Sequence, residues 1–112
     1  MLVFRLAYEK ENAAAYEAEL DNVRCGRCEF TYGGWQMFIT LIDSSDDIIT
    51  EGLLRSAMNY CAGRGVYTCT LEPAMLSPAA LRLGFSREDY TVDIPDALTS
   101  TCCRHGGNNE PE

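Results

Sequence analysis

From Trp35 to Ala62 the chain passes through three kinds of sequence in immediate succession, and no other stretch constrains its fold as strongly. Phe38-Ile39-Thr40-Leu41-Ile42 is an almost unbroken apolar run with branched residues, which suits a strand buried within a sheet. Asp43-Ser44-Ser45-Asp46-Asp47 is polar and ends in residues that cap helices. Ser45 or Asp46 can accept from the first free amides, and acids in the first turn suit the positive end of the helix dipole. Ile48 to Ala62 then follows a helical period. Ile49, Leu53, Ala57, Tyr60 and Cys61 share one face, and Glu51, Arg55 and Asn59 share the opposite one, with Glu51 and Arg55 placed to pair. A buried strand that feeds an amphipathic helix calls for a sheet with a helical layer on it.

The rest of the chain extends this pattern. Leu2 to Tyr8 is branched and aromatic and predicts a first strand. Lys10 to Leu20 is rich in Ala and Glu, with Ala13, Tyr16 and Leu20 on one stripe, and predicts a helix broken by Asp21-Asn22. Val23 to Tyr32 and Trp35 to Ile42 are predicted strands joined at Gly33-Gly34, where glycine supplies the positive φ of a tight hairpin. Gly63-Arg64-Gly65 ends the long helix. Val66 to Leu71 predicts a strand, Ser77 to Leu83 a short helix stopped by Gly84, and Tyr90 to Ile94 a last strand ended by Pro95. The order β-α-β-β-α-β-α-β predicts an α/β (α+β) fold with a mixed, mostly antiparallel central sheet flanked by helices. One domain is expected over 1–98, with a polar, Cys-containing tail over 99–112.

Charge narrows the function classes. Nine Lys and Arg against seventeen Asp and Glu give a net charge of −8. A nucleic-acid surface needs a basic stripe, and an anionic membrane surface needs a basic patch; neither is present. No run of about 18 apolar residues suits a transmembrane helix. The first residues lack the pattern of a secretory signal, so a cytoplasmic protein is expected. In that setting the six cysteines read as reduced thiols, with Cys61 and Cys69 as small core side chains. The reading assigns no metal. Its alternative is a tetrahedral zinc or thiol site built from Cys25, Cys28, Cys102 and Cys103, near His105. In a strand, Cys25 and Cys28 point to opposite faces unless Gly26 turns the backbone.

From the central strand onward the chain resembles the GNAT acetyltransferase superfamily. The resemblance rests on the strand Met37 to Ile42, the helix carrying Leu53-Leu54, Gly65, the next strand and short helix, and Leu83-Gly84-Phe85. It implies a GNAT-like fold and acetyl-CoA as cofactor. Backbone groups near Leu41 and Ile42 would hold the pantetheine, and the turn through Asp47, Ile48, Ile49 and Thr50 would hold the phosphates. The family's phosphate loop carries Gln or Arg and then two small residues where this chain has Ser45, Ile48 and Thr50. Branched Cβ atoms replace the glycines that let backbone amides reach phosphate. Asp46 and Asp47 place negative charge where an anion would sit. The family's thiolate-protonating tyrosine falls on Ala80, with Tyr67 and Tyr90 as the nearby tyrosines, and Glu29 or Asp43 as candidate bases.

These residues lead to three expectations. The first is a GNAT-like domain with a degenerate acyl-CoA loop, weak or inactive in catalysis and acting as a binding or assembly module. Its shortened sheet leaves an edge or face to be covered by a second copy or a protein partner. The second is an acetyl-CoA-dependent N-acetyltransferase. The third is the zinc- or thiol-dependent module. No catalytic residue is assigned.

Overall fold

The computed structural model describes residues 1–44 and 46–103, with side chains described through Thr99. Strands β1 (Leu2–Lys10), β2 (Ala13–Leu20), β3 (Val23–Gly33) and β4 (Gln36–Asp43) form an antiparallel meander. Helix α1 (Asp47–Ala62) crosses over to β5 (Thr68–Thr70), which pairs parallel with β4. A 3₁₀ turn (Pro73–Met75) and the short helix α2 (Pro78–Leu83) lead to β6 (Thr91–Asp93), antiparallel to β5, and helix α3 (Ile94–Cys103) follows. The sheet order is β1-β2-β3-β4-β5-β6, mixed and mostly antiparallel, with helices beside it as expected.

The main correction lies at Lys10 to Leu20, where a strand stands in place of the predicted helix. Asn12 adopts φ 66° and turns the chain straight back from β1 into β2. Tertiary packing overrides the helix propensity of Ala and Glu. Ala14, Tyr16 and Ala18 face α1, opposite Phe30, Cys28 and Gly26 of β3. Small side chains on this face let the helix approach. A Cβ added at Gly26 would lie 3.0 Å from Ile49 Cγ2 and 3.1 Å from Leu53 Cδ1. Asp21 and Asn22, both at positive φ, make the next hairpin turn where the sequence suggested a helix break.

Other boundaries shift by less. The pairing of Val66 to Leu71 contracts to Thr68–Thr70, and that of Tyr90 to Ile94 to Thr91–Asp93. Ile94 and Pro95 open α3, where proline fits because a first-turn amide has no helical partner. The helix continues through Thr99 to Cys103, into the segment of tail-like composition.

Helix α1 lies on the inner face of β1–β4, and α2 and α3 pack against α1 and one another, α3 also against β6. The described helices therefore gather on one side. The core between them contains Phe30, Met37, Ile39, Leu53, Leu54, Met58, Leu83 and Ile94, with Cys28, Cys61 and Cys69 fully buried among them. Gly52 belongs to this packing too. A methyl group there would overlap the Phe4 ring, so a larger residue would force that ring aside. No described helix is long and apolar enough to cross a membrane.

Candidate functional site

The site indicated by the sequence lies where β4 leaves the sheet and α1 begins. Strand β4 pairs with β5 only through Gln36, Met37 and Phe38, and then continues to Asp43 without a recorded ladder partner on that side. Thr40 is an extra residue there. Phe30 pairs with Ile39 and Glu29 with Leu41, leaving Thr40 as a β-bulge. The bulge bends the strand away from β5 and opens a split edge. Ile42 packs on the helix side with Ile49, whereas Leu41 and Asp43 face the opposite side of the sheet.

Helix α1 starts beside this split, and its anion-binding amides already have a ligand. Asp46 is the N-cap. Its Oδ1 accepts from Ile48 N–H at 2.7 Å and from Ile49 N–H at 3.3 Å. The Ser44 hydroxyl braces this turn through the Asp46 backbone. Ser45 lies outside the described residues. The cap is expected to be worth about 1 kcal/mol, so Asp46→Ala should lower stability by that amount in a thermal melt. Asp46→Asn should lose far less, because an amide oxygen can accept the same two bonds.

Asp47 turns toward α2, 3.8 Å from the Arg82 guanidinium. Arg82 also reaches Glu51 at 3.3 Å, and Glu51 accepts from Arg55 at 2.9 Å. This network was not legible in the sequence beyond the Glu51–Arg55 pair, because Arg82 is distant along the chain. Thr50 is buried, and Ile48 is 70% exposed. The six predicted cofactor residues therefore divide: Ile42, Ile49 and Thr50 turn toward the core, Ile48 and Leu41 outward, and Asp47 into an ion pair.

A pyrophosphate does not fit these residues. Two of the amides it would need already serve a carboxylate, and Asp46, Asp47 and Glu51 gather negative charge at the first turn, where Arg55 and Arg82 are already paired with Glu51 and Asp47. Two like charges about 4 Å apart repel by about 1 kcal/mol in water and more where solvent is excluded, against about 0.3–1 kcal/mol from the helix dipole.

Ala80 is fully buried in α2. Tyr67 precedes β5 at the end of the β4–β5 ladder away from the split, and its carbonyl accepts from Ile94 N–H at 2.7 Å. Tyr90, at φ 61°, packs against the core. Glu29 is held by Arg27 at 2.7 Å on the helix-free face, the face Asp43 also shares. Cys28 is buried in the core and Cys25 only half-buried, and burial pushes the Cys28 thiol up, with Glu29 adding to the effect. The side chains of Cys102 and Cys103, and all of His105, lie outside the described residues. Among the described residues, no group of three or more His, Cys, Asp or Glu is arranged to hold a metal ion.

A second polar cluster, missed in the sequence, closes the other end of α1. The Tyr60 hydroxyl donates to Glu9 at 2.6 Å, and Arg64 lies over the Tyr60 ring at 3.7 Å while pairing with Glu9 at 3.3 Å. Tyr16, Phe30 and Tyr32 surround that ring.

The strand split beside a helix N-terminus, a parallel β4–α1–β5 crossover and the antiparallel strands before it define a GNAT-like α+β fold. No protein-family model matches the chain, and no curated protein does. Among solved structures the chain is similar to the IAA acetyltransferase from Bacillus cereus ATCC 14579, with a TM-score of 0.54 and 15% sequence identity. The match covers 63% of this chain and 65% of that one, so it spans about two-thirds of each. At that identity the likeness establishes the fold.

Proposed function

We propose that this chain is a GNAT-like domain that has lost the acyl-CoA phosphate loop and works as a binding and assembly module rather than as a transferase. One observation carries the reading: the Asp46 carboxylate takes the amides of Ile48 and Ile49 at the start of α1. The buried Ala80, where the resemblance calls for a tyrosine, supports it. We place the module in the cytoplasm on the same reading, with its buried cysteines serving as reduced, apolar packing groups.

A thermal-shift titration with acetyl-CoA tests the proposal. A ligand at about 100 times its dissociation constant adds about 2.7 kcal/mol of stability, several degrees for a domain of this size. The expected result is no shift at millimolar acetyl-CoA. A clear upward shift would overturn the proposal in favour of an N-acyltransferase. The bulge at Thr40 and the split β4 edge favour that second reading, because they leave strand backbone near Leu41 and Ile42 open to an extended pantetheine.

A further inference from the structure

The helix-free face of β1–β4 carries a pattern the assembly reading leaves unused. Strand register sorts its side chains into rows. One row runs Arg5, Glu17, Arg27, Asp43 from β1 to β4, so the charge alternates at every strand. The next runs Tyr8, Ala15, Glu29, Leu41, and the one beyond it Lys10, Ala13, Thr31, Phe38. Lateral ion pairs hold the charged groups on the surface: Arg27 with Glu17 at 2.6 Å and with Glu29 at 2.7 Å, and Arg5 with Glu19 at 3.0 Å. Tyr8, Phe38 and Leu41 are exposed, and a depression of about 310 Å³ lies between Tyr8, Lys10, Ala13, Arg27, Glu29, Thr31 and Thr40.

We propose that this face binds a second copy of the chain about a two-fold axis parallel to the strands and midway between β2 and β3. That rotation reverses the strand order and leaves the rows in place. Arg5 then meets Asp43 of the second copy, Glu17 meets its Arg27, and both contacts recur by symmetry. An alternating row with an even number of members complements itself under this operation, whereas two like-charged ends would not. In the other rows Tyr8 meets Leu41, and Lys10 lies against the Phe38 ring, an arrangement that suits a cation–π contact.

Charge also selects this partner and this face. The three cations and three anions of these rows cancel, so the chain's net charge of −8 lies elsewhere. Two such acidic molecules repel through most approaches, and this neutral, self-complementary face is where they can meet.

The inference rests on the assembly reading and gives it a partner. Sedimentation equilibrium of the full chain tests it, with a mass twice the 12.4 kDa of one chain expected as concentration rises. Arg5→Glu alone and Asp43→Arg alone each put like charges opposite one another twice per dimer, and each should weaken association by about tenfold or more. The double variant should restore it. Within one chain Arg5 and Asp43 are three strand spacings apart, about 14 Å, beyond the screening length of about 8 Å at physiological salt. Their effects in a monomer should simply add, so rescue reports pairing between copies. Leu41→Asp, with a circular dichroism melt as the fold check, should give a folded monomer. A monomer at every concentration, or a double variant as weak as the singles, overturns the dimer. Acetyl-CoA binding would overturn the reading of the domain while leaving the sedimentation result in place.

Discussion

Phe30→Ala is expected to remove about 3–5 kcal/mol of folding stability, a large part of what a domain this size possesses. Phe30 is 1% exposed at the centre of β3, between Ala14 and Ile39. Its ring stacks on Tyr16 at 6.4 Å between centroids and meets Tyr60 edge-on at 5.6 Å. Its cross-strand neighbour Ala14 has no side chain long enough to fill the space, so a cavity would remain and add to the lost transfer energy. Urea unfolding should show a lower midpoint with an unchanged slope. Phe38→Ala makes the control. Phe38 lies on the helix-free face at 44% exposure, and in dilute solution its loss should cost well under half as much. Equal losses at the two positions would mean that the faces of the sheet are assigned wrongly.

Alkali should destabilise the protein well before its backbone chemistry suffers. Burial pushes the Cys61 thiol up to about 12, with Arg64 opposing the shift. Burial raises Cys28 and Cys69 as well, Glu29 adding to the effect at Cys28 and neighbouring thiols at both. Tyr60 moves the same way, chiefly through burial and then through its hydrogen bond to Glu9. Each group keeps its proton in the folded chain at a pH where the unfolded chain releases it. The unfolded state therefore binds fewer protons, and stability falls as pH rises. The contribution is whole below about pH 8.5–9, where an unfolded thiol is protonated, and is lost progressively above that until the folded thiol itself ionises. At pH 10, above the unfolded thiol's ordinary range, each buried thiol should account for on the order of 1 kcal/mol, and the three together for several. Urea unfolding at pH 7.5, 9 and 10 under a reductant measures this. Cys69→Ala should remove about a third of the pH dependence, and a flat profile to pH 10 would contradict the burial of these thiols.

The course of the chain from Gly34 to Gly84 was largely legible because its signals are local. A continuous apolar run, an aspartate cap, a helical stripe and glycines at φ 60°, 83° and 106° each act within a few residues, and strand, helix and turns formed where they point. The same locality made the missing phosphate-loop glycines visible, since Cβ sterics are a property of each residue. Lys10 to Leu20 misled because alanine-rich sequence has high intrinsic helix propensity, while its role here depends on a distant partner. Ala14 and Ala18 are small so that α1 can settle over them and over Gly26, and nothing within the segment announces that helix.

The candidate site divides along the same line. The sequence by itself determined that α1 would begin at an acid-rich cap and carry no glycine cradle, because capping and backbone access are short-range. Only the tertiary structure decided where those charges go: Asp46 onto its own helix amides, and Asp47 toward Arg82 on α2. Only strand register could set Arg5, Glu17, Arg27 and Asp43 in one alternating row, because cross-strand neighbours meet through the sheet and not along the chain.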